Sequence, residues 1–168
     1  MYSPDVTDLI RVSIDAQRLQ LLHNARPVLD VAVATASNGP GELRDSECTP
    51  RGWHRIRARI GAGCPVNTVF AGRRPTGEIY SPALKLAHPG RDWILTRILW
   101  LCGMEPGRNR FGNVDTMRRY IYIHGCPDED AMGIPSSHGC IKMRNKDVIE
   151  LFGRVTTGTR VLIQEAPF

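Results

Sequence analysis

Apolar and polar residues alternate with period two through most of the first third of the chain, the repeat that sends successive side chains to opposite faces of a strand. In LIRVSID, residues 9–15, Ile10, Val12 and Ile14 share one side, and VLDVAVAT, residues 28–35, continues the theme with Val and Ala. Between them QRLQLLHNARPV supplies a short strand and a turn at Asn24-Ala25-Arg26-Pro27, which predicts a hairpin followed by a third strand. The Gly, Pro, Ser and Asp of SNGPGELRDSECTPRG then predict a loop.

Alternation returns in WHRIRARIG, with Trp53, Arg55, Arg57 and Arg59 on one face and His54, Ile56, Ala58 and Ile60 on the other. The arginine face meets water or a ligand. Residues 61–92 are rich in turn signals and predict one short strand near Glu78–Tyr80. DWILTRILWL reads as a buried strand, GMEPGRNRFGNVDTMRR as a loop, and YIYI as a short strand that ends at His124. After CIKM, the spacing of Val148, Ile149, Leu151 and Phe152 in NKDVIELFGRV predicts a helix. Asn145 is expected as its N-cap, Asp147 complements the helix dipole, and Gly153 is expected to end it. TGTRVLIQE predicts a last strand. The sum is a mainly β chain of about eight strands and one helix, a pattern that fits a sandwich or barrel.

With 168 residues, 42% of them hydrophobic, the chain suffices for a single domain, 1–168, that buries about 70% of its unfolded surface. The most apolar run, WILTRILWLCGM, is broken by Thr96 and Arg97 and falls short of the roughly 20 residues that span a bilayer, so no membrane insertion is expected. Asp5 and Asp8 stand where an export signal would carry Lys or Arg, and no apolar signal core follows. Five cysteines, 48, 64, 102, 126 and 140, lack the compact spacing of a disulfide scaffold. A cytoplasmic setting is expected, or a periplasmic one if the N-terminus has been trimmed. The net charge of +5 is almost all arginine, since Lys85, Lys142 and Lys146 are the only lysines. Arginine suits carboxylates and phosphates through its planar fork. No RNA- or DNA-binding signature accompanies it, and no nucleic-acid partner is expected.

The tripeptide His-Gly-Cys occurs twice, at 124–126 and 138–140. One reading makes His124, Cys126, His138 and Cys140 a tetrahedral zinc site, although structural zinc sites favour other spacings. The other makes Cys140 a nucleophile. A thiol is only a few per cent ionised at neutral pH and needs a histidine to take its proton. His124, at a strand end, is placed for that. Gly139 lets the backbone approach a substrate closely, and the N–H groups of Gly139 and Cys140 could form an oxyanion hole, worth about 3 kcal/mol per donor.

The order of IHG, a gap of a dozen residues, SHGCI with a basic residue next, an N-K-D-V-I-E-L helix and a closing GTRVLI strand resembles the YkuD-type L,D-transpeptidase family. TPRGWHRI is similar to an upstream family segment and IRVSIDAQRLQLL to its opening hairpin, so the likeness covers roughly residues 9–164. The resemblance implies a YkuD-like β-sandwich and a cysteine acyl-enzyme that acts on peptidoglycan stem peptides between the L-centre of a third-position diamino acid and D-alanine. Carried over, Cys140 is the nucleophile and His124 the base, the Gly125 carbonyl orients the imidazole, and His138, Gly139 and Cys140 line the oxyanion hole. No metal or other cofactor is implied. Arg118, Arg119, Ser137 and Lys142 are candidates for substrate binding. Lys142 departs from the family's usual arginine, and Cys126 from its usual threonine.

Given the cytoplasmic expectation, the favoured outcome is an L,D-carboxypeptidase that releases D-alanine from tetrapeptides in murein recycling. Transpeptidation, by cross-linking or D-amino-acid exchange, is the alternative, and a non-catalytic muropeptide- or zinc-binding module is the rival from another class. The oligomeric state is not legible.

Overall fold

A computed structural model describes residues 7–168. Its strands are β1 (Asp8–Ser13), β2 (Arg18–His23), β3 (Arg26–Ala34), β4 (Gly52–Ile60), β5 (Thr68–Ala71), β6 (Arg74–Ile79), β7 (Ile94–Gly103), β8 (Tyr122–Cys126), β9 (Ile141–Arg144) and β10 (Arg160–Gln164). Helix α1 (Pro82–Ala87) precedes β7, and helix α2 (Asn145–Arg154) follows β9 directly. The mainly β expectation holds, with the principal helix after Cys140.

Hydrogen bonding runs through the order β4-β10-β1-β2-β3-β9-β8-β7, and β7 pairs again with β4, so eight strands close on themselves. Two of the pairings, β1 with β10 and β8 with β9, are parallel. Strands β5 and β6 form a hairpin attached to β7 outside that ring. The period-two alternation seen in the sequence sets the register: Ile10 lies opposite Leu21 and Val161, and Val12 opposite Leu19 and Ile163. All six are buried, and Val148, Leu151 and Phe152 of α2 join them in one core. Each such aliphatic side chain contributes about 1.5–3 kcal/mol by leaving water.

The β2–β3 turn falls on Asn24 and Ala25, with φ of 48° and 64°, the positive values that a tight two-residue hairpin requires. On β4, Arg55, Arg57 and Arg59 are exposed while His54 and Ile56 are buried, as the alternation predicts. Residues 61–92 hold more order than their turn signals suggested: the β5–β6 hairpin and α1, capped by the Ser81 hydroxyl, which accepts the Leu84 N–H at 3.1 Å. Their many Gly and Pro residues mark the turns and conceal strands of four and six residues.

Helix α2 begins one residue earlier than expected. Arg144 is its N-cap, Asn145 is its first residue, and it passes through Gly153 to end at Arg154. Asn145 is diverted to a tertiary role described below. Asp147 does lie in the first turn.

Candidate active site

Strand β8 and the segment before β9 bring both His-Gly-Cys tripeptides to one region. Parallel pairing sets His124 opposite Lys142, so Cys140 lies just before the point where β9 joins β8. A cavity of about 520 Å³ is lined by Tyr122, His124, Ser137, His138, Cys140 and Lys142, with Gly72, Arg73, Asp92, Ile94 and Tyr120 completing the wall.

Cys140 is held by the start of β8. The Tyr122 N–H donates to its Sγ at 3.3 Å, and the thiol donates to the Tyr120 carbonyl at 3.4 Å. Burial pushes the thiol up to about 12. The Tyr122 N–H and the Arg119 charge pull it down, and Asp92 raises it further. His124 is buried, and its Nδ1 lies 2.7 Å from the Gly125 carbonyl. A carbonyl only accepts, so Nδ1 carries the ring proton and Nε2 keeps its lone pair. Burial is the main cause that lowers the imidazole's pKa, reinforced by Lys142 and opposed by the Gly125 carbonyl and Asp92. Both groups therefore rest neutral, and a thiolate arises only by proton transfer to an acceptor such as Nε2.

The Gly125 peptide that fixes this tautomer is itself confined. A Cβ at Gly125 would lie 2.5 Å from Asn145 Oδ1 and 2.6 Å from the Leu95 carbonyl. Asn145, buried, donates through Nδ2 to Asn67 Oδ1 at 3.0 Å and Asp128 Oδ1 at 3.1 Å, and its Oδ1 accepts the Thr96 hydroxyl at 2.5 Å. Thr96 sits at a bulge in β7 with φ of 74°, an unfavourable region for a β-branched residue, and its hydroxyl also accepts the Asn67 N–H at 3.0 Å. One amide thus ties four segments around the carbonyl that holds His124.

The loop before Cys140 is clamped in the same way. Ser137 donates to the Cys140 carbonyl, and its Oγ accepts the Gly139 N–H at 3.2 Å. Thr49 donates to the Gly139 carbonyl at 2.9 Å while accepting the Ala36 N–H at 3.0 Å. Gly139 has φ of 127°, and a Cβ there would stand 3.0 Å from Ile121 Cδ1 and 3.3 Å from the Cys48 carbonyl, so no larger residue fits without displacement. The Gly139 N–H, a candidate oxyanion donor, is engaged by Ser137 in this state.

The remaining candidates divide. His138 is exposed, with Nδ1 3.9 Å from Asp92 Oδ2. Lys142 pairs with Asp130 at 3.0 Å and donates to Ser136 Oγ at 3.3 Å. Arg118 and Arg119 lie outside the cavity, in an adjoining cleft of about 230 Å³ that shares Tyr120 and His138 with it. Arg119 donates to the carbonyls of Cys48 at 2.7 Å and Gly41 at 3.3 Å, so its fork braces the loop that supports Gly139. Cys126 is buried and donates to the Met143 carbonyl at 3.2 Å. The four residues of the zinc reading do not converge: among the described residues no three His, Cys, Asp or Glu side chains gather closely enough to hold a metal ion.

Arg73 escaped the sequence reading, hidden in the turn-rich stretch 61–92. From the tip of the β5–β6 hairpin it stacks over the rings of Trp100 at 4.7 Å and Tyr120 at 4.8 Å, and its Nη1 donates to the Tyr122 hydroxyl at 3.0 Å. The signal for it was the Gly72-Arg73 pair at a hairpin turn. His54, on the inward face of β4, is fully buried, with Nδ1 3.0 Å from the Gly52 carbonyl and Nε2 3.0 Å from Thr116 Oγ1.

Residues 7–163 match the family described as YkuD, L,D-transpeptidase catalytic domain. YqjB of Bacillus subtilis, which bears an L,D-transpeptidase name, is 46% identical over 47 residues, 28% of this chain and 27% of its own. YbiS of Escherichia coli, similarly named, is 41% identical over 49 residues, 29% of this chain and 16% of its own. Among solved structures, an L,D-transpeptidase from Mycobacterium smegmatis superposes with a TM-score of 0.57 at 19% identity, over 95% of this chain and 59% of the other. L,D-transpeptidase 3 from Mycobacterium tuberculosis, in complex with a faropenem-derived adduct, superposes with a TM-score of 0.59 at 14% identity, over 95% and 61%. These structural likenesses concern the fold. The matches span about a quarter or less of these curated relatives and about 60% of these solved chains.

Proposed function

The chain belongs to the YkuD family of L,D-transpeptidase catalytic domains, and from that premise we propose that it is a cysteine acyltransferase acting on peptidoglycan stem peptides, with Cys140 as nucleophile and His124 as base. The observation that carries the proposal is that Cys140 and His124 line one cavity while the Gly125 carbonyl leaves Nε2 of His124 as the free acceptor.

In the proposed reaction the Cys140 sulfur attacks the carbonyl carbon of the third stem residue as its proton passes to Nε2 of His124. The developing oxyanion is met by backbone N–H groups of the 138–140 segment, with Ser137 giving up its bond to Gly139 as charge builds. Nε2 then returns the proton to the departing D-alanine nitrogen, the C–N bond breaks and a thioester remains on Cys140. An incoming amine attacks the thioester, its proton goes to Nε2, and the sulfur leaves and recovers that proton. Arg73 is the guanidinium on the cavity wall, and its donors not spent on Tyr122 suit the terminal carboxylate of the donor stem.

We take transfer to an amine as the principal outcome, because the adjoining cleft beyond Tyr120 and His138 gives a second peptide room next to the thioester. Hydrolysis, the L,D-carboxypeptidase outcome in murein recycling, shares every step up to the acyl-enzyme and differs only in that water takes the place of the amine. No described helix is long and apolar enough to cross a membrane. Incubation with a disaccharide tetrapeptide, with and without an acceptor stem, separates the outcomes by product mass: a joined product supports transfer, loss of one alanine supports hydrolysis. No product with intact protein, or product from Cys140→Ala, would overturn the proposal.

A further inference from the structure

Most arginines of this chain that lie near a carboxylate are matched to one: Arg18 with Asp30, Arg51 with Glu42, Arg91 with Glu78, and Arg108 with Glu105. A second groove, away from the catalytic cavity, breaks that pattern. It measures about 310 Å³ and is walled by Arg55 and Arg57 from the exposed face of β4 and by Arg110 and Arg118 from the segment between β7 and β8. Cys102 and Gly103 of β7 also line it.

None of the four guanidiniums has a carboxylate partner among the described residues. Arg55 donates through Nε to Cys102 Sγ at 3.3 Å, and Arg110 stacks 4.6 Å over the ring of Phe111. The side chains of Arg57 and Arg118 make no ion pair or hydrogen bond within the described residues. Among the described residues the only carboxylate on the groove, Asp115, is buried and already spent. Its Oδ2 accepts the Phe111 N–H at 2.7 Å and its Oδ1 accepts the Arg118 N–H at 2.9 Å. These bonds hold Phe111 at φ 69°, a costly conformation for a bulky residue, with its ring exposed at the rim.

Four like charges gathered in a concavity repel one another unless an anion neutralises them. The number of forks indicates which anion. A carboxylate has two oxygens and is filled by one bidentate guanidinium, whereas a phosphate offers up to two charges and several acceptor oxygens, and a diphosphate more. We propose that this groove is a binding site for a dianionic phosphate or diphosphate group. The group could arrive as a free anion or be carried on a sugar or muropeptide ligand. Arg118 also lines the cleft that adjoins the catalytic cavity, which gives the second source a route. The site is independent of the chemistry at Cys140, so its test and that of the acyl-enzyme fail separately.

The probe is sodium pyrophosphate, titrated calorimetrically into the full chain at fixed ionic strength, with acetate as the carboxylate control. The expected result is one saturable site for pyrophosphate and none for acetate. Binding should be at least about tenfold weaker in Arg57→Gln/Arg110→Gln and unchanged in Arg26→Gln, an exposed arginine at the start of β3. A matching thermal midpoint shows that the double variant folds. Absence of saturable binding, or equal affinity in the double variant, would overturn the site. The source follows from turnover of a muropeptide with and without a sugar phosphate. A lower KM for the phosphorylated form that disappears in the double variant marks a substrate-borne group, and equal KM values alongside retained pyrophosphate binding mark a free anion.

Discussion

The two His-Gly-Cys tripeptides are identical in sequence and opposite in use. In the first, the histidine faces the cavity and the cysteine is buried, its thiol donating to the Met143 carbonyl. In the second, the cysteine faces the cavity and the histidine stands exposed beside Asp92. Acidity does not separate the thiols, since burial pushes both up to about 12. What separates them is the backbone they ride on. The first tripeptide lies within β8, and the second lies in a clamped turn whose glycine, at φ 127°, delivers Cys140 to the cavity that His124 lines. A motif's chemistry here is set by the element that carries it.

The sharpest way to break the comparison is to remove each cysteine in turn. Cys140→Ala is expected to lower kcat by at least about 10³-fold, and Cys126→Ala to change it less than about threefold while costing about 1 kcal/mol of stability. Equal losses in the two variants would remove the asymmetry. The histidines come next: His124→Gln is expected to lose about 10²–10⁴-fold in kcat and His138→Gln no more than about tenfold. Because burial lowers the pKa of His124 and the base must be neutral, kcat/KM should fall on the acid side below the ordinary histidine value of about 6.5. An acid limb centred above 7 would contradict the buried-base assignment.

The smallest effect concerns a second buried histidine of similar local design. His54, like His124, sets Nδ1 on a nearby carbonyl, but its Nε2 is closed by the Thr116 hydroxyl. Burial pushes its pKa down to about 4 from 6.5, opposed by the Gly52 carbonyl and Glu105. The unfolded chain therefore takes up the proton first, so stability is full above about pH 6.5 and declines as pH falls toward 4, by about 3 kcal/mol at 1.36 kcal/mol per unit. Denaturant unfolding of His54→Gln should show a shallower decline across that window, with kcat near the wild-type value. An unchanged slope would remove His54 as its source.

The sequence disclosed most where one periodicity governed. The β1–β2 alternation and the arginine face of β4 each report burial on one face, the continuous β7 run reports burial on both, and the structure follows them. It disclosed least where one residue serves distant partners. Asn145 has the composition of an N-cap, yet its amide bridges Asn67, Asp128 and Thr96, contacts that lie 17 to 78 residues away and leave no local pattern. Arg73 was hidden for a related reason: Gly and Pro in residues 61–92 announce turns but not which of them reaches the cavity. Arg118 and Arg119 are adjacent and chemically alike in sequence, while the fold spends the second on the Cys48 and Gly41 carbonyls.

The most direct test of the account is to find which sulfur becomes covalently modified. Acid-quenching the chain during turnover of a disaccharide tetrapeptide, followed by intact-protein mass and peptide mapping, is expected to show one thioester adduct, on Cys140, formed much more slowly in His124→Gln and not at all in Cys140→Ala. An adduct on Cys126, or one on Cys140 that forms equally fast without His124, would contradict it.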